Sequence, residues 1–115
     1  IVDLVRSAGA TYVARGTSFH AHGLDRMISG AIAHQGFSMV EILSPCHTQY
    51  GRKNRFKTPV DMYTWLKKSA TPLEKWQEMD EEKRVGRIPT GVFVDQDLPP
   101  LEERYARMTA KQRKA

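Results

Sequence analysis

Only one cysteine, Cys46, stands in this 115-residue chain. That scarcity excludes an internal disulfide framework and fits a reducing compartment, so the cytoplasm is the expected location. No apolar run approaches the roughly 20 residues that a membrane-spanning helix needs, so no membrane partner is expected. Acidic residues are also in short supply, 13 against 18 Lys and Arg, for a formal charge of +5. Such an excess suits acidic partners and bears on steering rather than on fold. The opening IVDLVRSAGA has neither a basic stretch nor a small-residue cleavage site, so no export signal is expected. No initiator Met is present, and Ile1, Val2, Leu4 and Val5 already read as the apolar side of a helix with no cap before it. We therefore expect part of a longer polypeptide.

What is present is one domain's worth of chain, with 40% hydrophobic residues, enough for a core. Residues 1–8 read as a helix end stopped by Gly9, and residues 10–16 (ATYVARG) as a short strand. From Gly23 to His34, Leu24, Met27, Ile28, Ala31 and Ile32 recur at one-faced helical spacing. Residues 37–43 (FSMVEIL) read as a strand apolar on nearly both faces, expected to be buried between layers. Strand, helix, strand over about 30 residues predicts a right-handed parallel βαβ unit. Ligands of α/β proteins sit beyond the carboxyl ends of such strands, and the polar loop SPCHTQYGRKNRFKTP emerges there, after Leu43.

Beyond the loop, Thr58, Pro59 and Asp61 have the order of an N-cap, N1 and N3 for a helix through Val60, Tyr63 and Leu66. Thr71, Pro72 and Glu74 repeat that order for a short helix carrying Leu73 and Trp76, and residues 77–87 read as a solvated charged stretch. Residues 90–95 (TGVFVD) read as a less certain strand, and Leu101, Tyr105 and Met108 mark one side of a terminal helix with a frayed basic end. Two or three strands cover a sheet poorly, so further sheet from elsewhere is expected.

Three readings of Cys46 stand on the residues alone. It is a small apolar filler, a nucleophile with His47 as base, or one ligand of a metal site whose other donors lie elsewhere. The nucleophile reading is poorly served, because adjacent residues of an extended chain point to opposite sides. Arg52, Lys53, Arg55 and Lys57 form a cationic run. It reads either as a solvated face or as a surface for phosphates, acidic protein or carboxylates of another subunit. Tyr50 and Phe56 interleave it as in single-strand binders, but no nucleic-acid motif accompanies them, and no nucleic acid is expected. His20 and His22 make at most a weak metal pair, surface histidines being the plain reading, and His34 closes a helix where a cation suits the dipole.

Four blocks in order, ATYVARG, GFSMVEILSPCHTQYGRKN, PVDMYTWLKK and TGVFVDQDLPPLEERY, resemble the carboxy-terminal portion of the β subunit of 2-oxoacid:ferredoxin oxidoreductases, the 2-oxoglutarate-acting members above all. The resemblance covers nearly the whole chain, and the SPC-H loop running into GRKN is its most specific part.

The resemblance implies an α/β fold, part of a thiamine-diphosphate-binding parallel-sheet domain with a helical carboxy-terminal extension. Residues 1–58 would be the carboxy-terminal βαβ part of that domain with the cluster-ligand loop, and residues 59–115 the mostly helical extension. It further implies an enzyme that works with an α subunit. That enzyme oxidatively decarboxylates a 2-oxoacid with coenzyme A to acyl-CoA and passes electrons to ferredoxin. Thiamine diphosphate with Mg2+ stabilises the carbanion left when carbon dioxide departs. Cys46 would be the fourth thiolate of a 4Fe–4S cluster. The GDG…N motif that holds magnesium and diphosphate in the family, and its other three cluster cysteines, are not in this sequence. The chain alone is expected to bind none of these cofactors and to be inactive, with no catalytic residue of its own. The reading from another class is a stand-alone basic α/β module whose loop recognises an anionic partner.

Overall fold

The computed structural model describes residues 1–112. Helix α1 (Val2–Ser7) leads into strand β1 (Tyr12–Thr17), helix α2 (Ala21–Ala33) and strand β2 (Ser38–Leu43). A π-helical turn (His47–Gly51) precedes α3 (Pro59–Ser69), β3 (Ala70–Pro72), α4 (Leu73–Gln77), α5 (Glu81–Arg84), β4 (Ile88–Asp95) and α6 (Leu101–Gln112).

The expected βαβ unit is present: β1 and β2 pair in parallel from Tyr12↔Ser38 to Thr17↔Leu43. Helix α2 covers one face. Tyr12 donates its hydroxyl to the Met27 carbonyl at 3.1 Å, and Ser38 donates to the Ala31 carbonyl at 2.8 Å. Burial first, and then the Asp95 charge, hold the Tyr12 phenol above its ordinary pKa. On the opposite face, Val2 of α1, Ala10 and Val13 form a buried cluster with Val5, Met39, Phe93 and Val94 packed against it.

The sheet itself differs from the all-parallel expectation. Its order is β2-β1-β4-β3, with β4 antiparallel to β1 and β3 parallel to β4, so it is mixed. Strand β4 therefore fills the place beside β1 from within the chain, and Phe93 is the extra residue of a bulge where the register slips opposite Val13 and Ala14. Residues 59–112 thus supply two of the four strands as well as helices.

Two local readings need correcting for the same reason, that pairing overrides local signal. Strand β2 is not buried between layers. It lies at the sheet's edge and is half-buried, with Ile42 46% exposed. Thr71 caps no helix, because it belongs to β3, where its hydroxyl donates to Ser69 and its carbonyl accepts from the Thr90 hydroxyl; α4 begins after Pro72 without a side-chain cap. Residues 77–87 are mostly exposed, as expected; within them α5 places the Arg84 guanidinium 4.3 Å from the centre of the Trp76 ring, and Arg84 also donates to the carbonyls of Trp76 and Gln77.

The Thr58 cap is as expected and more complete. Its hydroxyl accepts from the Asp61 amide at 3.2 Å while the Asp61 carboxylate accepts from the Thr58 amide at 2.9 Å, a full capping box. Leu101, Tyr105 and Met108 are exposed along α6, and the last of the basic residues after it lie outside the described residues.

Candidate functional site: the Cys46 loop

The ends of β1 and β2 are tied by a bond from the Ser18 amide to the Leu43 carbonyl at 2.9 Å. From that shared end Ser44, Pro45 and Cys46 run outward, with Cys46 extended at φ −113°, ψ 95°, at the head of the π-helical turn. The Gly51 amide donates to the Cys46 carbonyl at 2.9 Å, the five-residue spacing that defines this wider turn. Gly51 is required by space: a Cβ there would come within 2.8 Å of the Met62 sulfur, and Met62 is fully buried under the loop.

Arg52 and Lys53 continue the turn. Arg55 then takes the left-handed conformation at φ 61°, and the Phe56 amide returns to the Gly51 carbonyl at 2.9 Å. Asn54 reinforces this by donating its side-chain amide to the Tyr50 carbonyl at 2.9 Å. Tyr50, Phe56 and Trp65 of α3 form an aromatic trio with ring centres 5.9–6.3 Å apart. The loop is therefore a platform fastened to α3, not a loose connection. An apolar cavity of about 310 Å³ lies beneath it, lined by Leu43, Pro45, Tyr50, Met62, Trp65 and Leu66 among others.

The thiol at the head of this platform is exposed. Its pKa lies below the ordinary thiol value. The chief cause is the Gln49 amide N–H, followed by the Thr48 hydroxyl and the Tyr50 amide. The Thr48 Oγ1 is 3.7 Å from the Cys46 Sγ. These donors favour the thiolate, the form that binds metal and attacks electrophiles. Within this chain Cys46 is exposed and fills no core position. His47 is not the side-chain partner of the thiol; that place is taken by Thr48.

Among the described residues no group of three or more Cys, His, Asp or Glu could hold a metal ion. A 4Fe–4S cluster takes four thiolates, and Cys46 fits one such position through its exposure and its lowered thiol pKa. The chain has no residues for the other three, and no diphosphate cradle of the expected type.

The histidines go elsewhere. His20 Nδ1 lies 2.8 Å from the Thr17 hydroxyl at the end of β1, not paired with His22. His34 does more than close α2: Nε2 is 2.8 Å from Thr11 Oγ1, Nδ1 is 3.7 Å from Asp95 Oδ1, and its ring sits 5.5 Å from Tyr12. It joins α2, β1 and β4. Ser18, just beyond β1 and bonded to the strand from which the loop departs, has a buried hydroxyl with no partner among the described residues. Sequence gave no hint of it, because a serine in a polar loop is ordinary. Glu41 of β2 and Arg15 of β1 stand directly opposite and form an ion pair at 2.6 Å. The charge inside the apolar β2 pattern is thereby answered.

An α/β domain with an activated, exposed thiol at the carboxyl end of a parallel strand pair is the class of protein this geometry defines. No family model matches the chain. Among curated proteins it is similar to the 2-oxoglutarate synthase subunit KorB of Methanothermobacter marburgensis, 40% identical over 102 residues, covering 89% of this chain and 36% of that protein. The subunit of the same name from Methanocaldococcus jannaschii is 40% identical over 105 residues, covering 91% of this chain and 39% of its own length. A 2-oxoacid:ferredoxin oxidoreductase subunit beta from Sulfolobus is 33% identical over 115 aligned positions, covering 90% and 38%. Over most of its length the chain is thus homologous, at 33–40% identity, to proteins named as 2-oxoglutarate synthase subunit KorB and 2-oxoacid:ferredoxin oxidoreductase subunit beta. It spans a little over a third of the length of these relatives. No helix of the described residues is long and apolar enough to cross a membrane.

Proposed function

We propose that the chain is the carboxy-terminal portion of such a β subunit, with Cys46 as one thiolate ligand of a 4Fe–4S cluster. Residues 1–58 contribute the last βαβ unit of a thiamine-diphosphate-binding domain, and residues 59–115 extend it. With an α subunit the intact protein oxidatively decarboxylates a 2-oxoacid, of which 2-oxoglutarate is favoured by the names of the relatives. Coenzyme A takes the acyl group and ferredoxin the electrons, in the cytoplasm.

The observation that carries the reading is the environment of Cys46. An exposed thiol whose anion is stabilised by amide N–H groups is prepared to bind metal without waiting for a base. N–H donors around a ligating sulfur also tune the potential of a cluster. A bound cluster supplies one-electron storage and transfer. This chain's residues hold one of its corners, through the Gly51–Cys46 bond and the Met62 and Trp65 packing that keep the turn in place. In this reading the site for thiamine diphosphate and Mg2+ belongs to the remainder of the protein, and the chain works only as part of it.

The test is the intact subunit co-expressed with its α subunit and assayed anaerobically. A low-potential dye should be reduced only when a 2-oxoacid and coenzyme A are both present, and fastest with 2-oxoglutarate. An iron-loaded complex that reduces the dye with no 2-oxoacid tried would contradict the proposal.

A further inference from the structure

From Ser44 to Val60 the chain carries Arg52, Lys53, Arg55 and Lys57 and not one carboxylate. All four cations are exposed, and among the described residues none of them is in an ion pair. The acids that bracket the segment are both engaged: Glu41 with Arg15, and Asp61 in the capping box of α3.

The cations are also held in place relative to Cys46. Arg52 and Lys53 continue the turn that Cys46 heads, which puts Lys53 roughly 10 Å along it. Arg55 is locked at left-handed φ, and the Phe56 amide bond brings Lys57 back toward the same turn. Four like charges in so short a span repel one another, and nothing in the chain offsets that. Such a patch concentrates positive potential on the loop that follows Cys46.

We propose that Arg52, Lys53, Arg55 and Lys57 form the docking surface for the electron acceptor, a small ferredoxin with an acidic face, and bring it over the Cys46 turn. This rests on the proposed function, in which Cys46 holds the cluster that gives up the electron. The charge fits: a protein acceptor must be acidic to gain from the patch, and the relatives include proteins named as reducing ferredoxin. Docking at this turn also places the acceptor at the ligand rather than across the sheet. Electrostatic complementarity of this kind acts chiefly on association rate and on specificity.

The experiment uses the intact α–β complex and an oxidised ferredoxin of net negative charge, with Kd measured across ionic strength. The unaltered complex should bind more weakly as salt rises to about 0.1–0.2 M, where the Debye length falls to ~10 Å or less. The double variant Arg52→Glu with Lys53→Glu should raise Kd by about tenfold or more at low salt and flatten the salt dependence. Its ferredoxin-linked rate should fall relative to the dye-linked rate of the same preparation. The same reversal at Lys75 on α4 should change neither. An unaltered Kd and salt slope in the double variant would overturn the docking surface. So would loss of binding to a single-stranded oligonucleotide with ferredoxin binding intact, which would assign the patch to nucleic acid. Failure of the underlying reading is separate: it shows as full cluster content in Cys46→Ala, whatever the charge variants do.

Discussion

The Cys46 Sγ and the Thr48 Oγ1 lie 3.7 Å apart at the head of a π-helical turn, with the Gln49 amide as the strongest support of the thiolate. Because these donors lower the thiol pKa, alkylation of cluster-free protein by iodoacetamide should rise with pH through a midpoint below that of a free cysteine measured alongside. Thr48→Val should move that midpoint upward, since one donor to the anion is lost. A midpoint at or above the free value would show that the amides do not act on the sulfur.

The Arg15–Glu41 pair spans neighbouring strands with side chains 16% and 18% exposed. Removing one partner leaves a charge poorly solvated, so Glu41→Leu alone should cost about 1–3 kcal/mol in urea unfolding. Arg15→Met with Glu41→Leu should recover most of that loss. Equal and additive losses in the two single variants and the double variant would indicate that the pair is not coupled.

The platform beneath the thiol rests on α3. Thr58→Ala breaks the capping box and should cost about 1 kcal/mol, while Met62→Ala, which opens a void beneath Gly51, should cost about 2–5 kcal/mol. Both are read from urea midpoints of the intact subunit. Met62→Ala should also loosen the turn, seen as faster hydrogen exchange at Gly51 and Phe56, whose amides hold it closed.

The elements legible in the sequence were those whose signal is local and periodic. Tyr12–Val13, the Leu24–Ile32 stripe and the FSMVEIL run each declare their structure within one window. Strand β3 was hidden because its three residues pair only with β4, some 18 positions away, and Thr71-Pro72 carries the chemistry of a cap. The direction of β4 was hidden for the same reason, as antiparallel pairing to β1 has no composition signature.

At the site, position was legible and environment was not. The loop's place after Leu43 followed from the strand pattern, and Cys46 stood out as a lone thiol. Its activation comes from backbone amides that exist only once the π turn has formed. His34 likewise read as a helix end, whereas its hydrogen bond to Thr11 and its approach to Asp95 depend on sheet register.

The most direct test is iron. The intact subunit, purified anaerobically with Cys46 replaced by Ala, should lose most of its cluster iron and acid-labile sulfide, together with the reduced-cluster EPR signal, while its far-UV dichroism is preserved. Full iron content and an unchanged EPR signal in that variant would contradict the assignment of Cys46 as a cluster ligand.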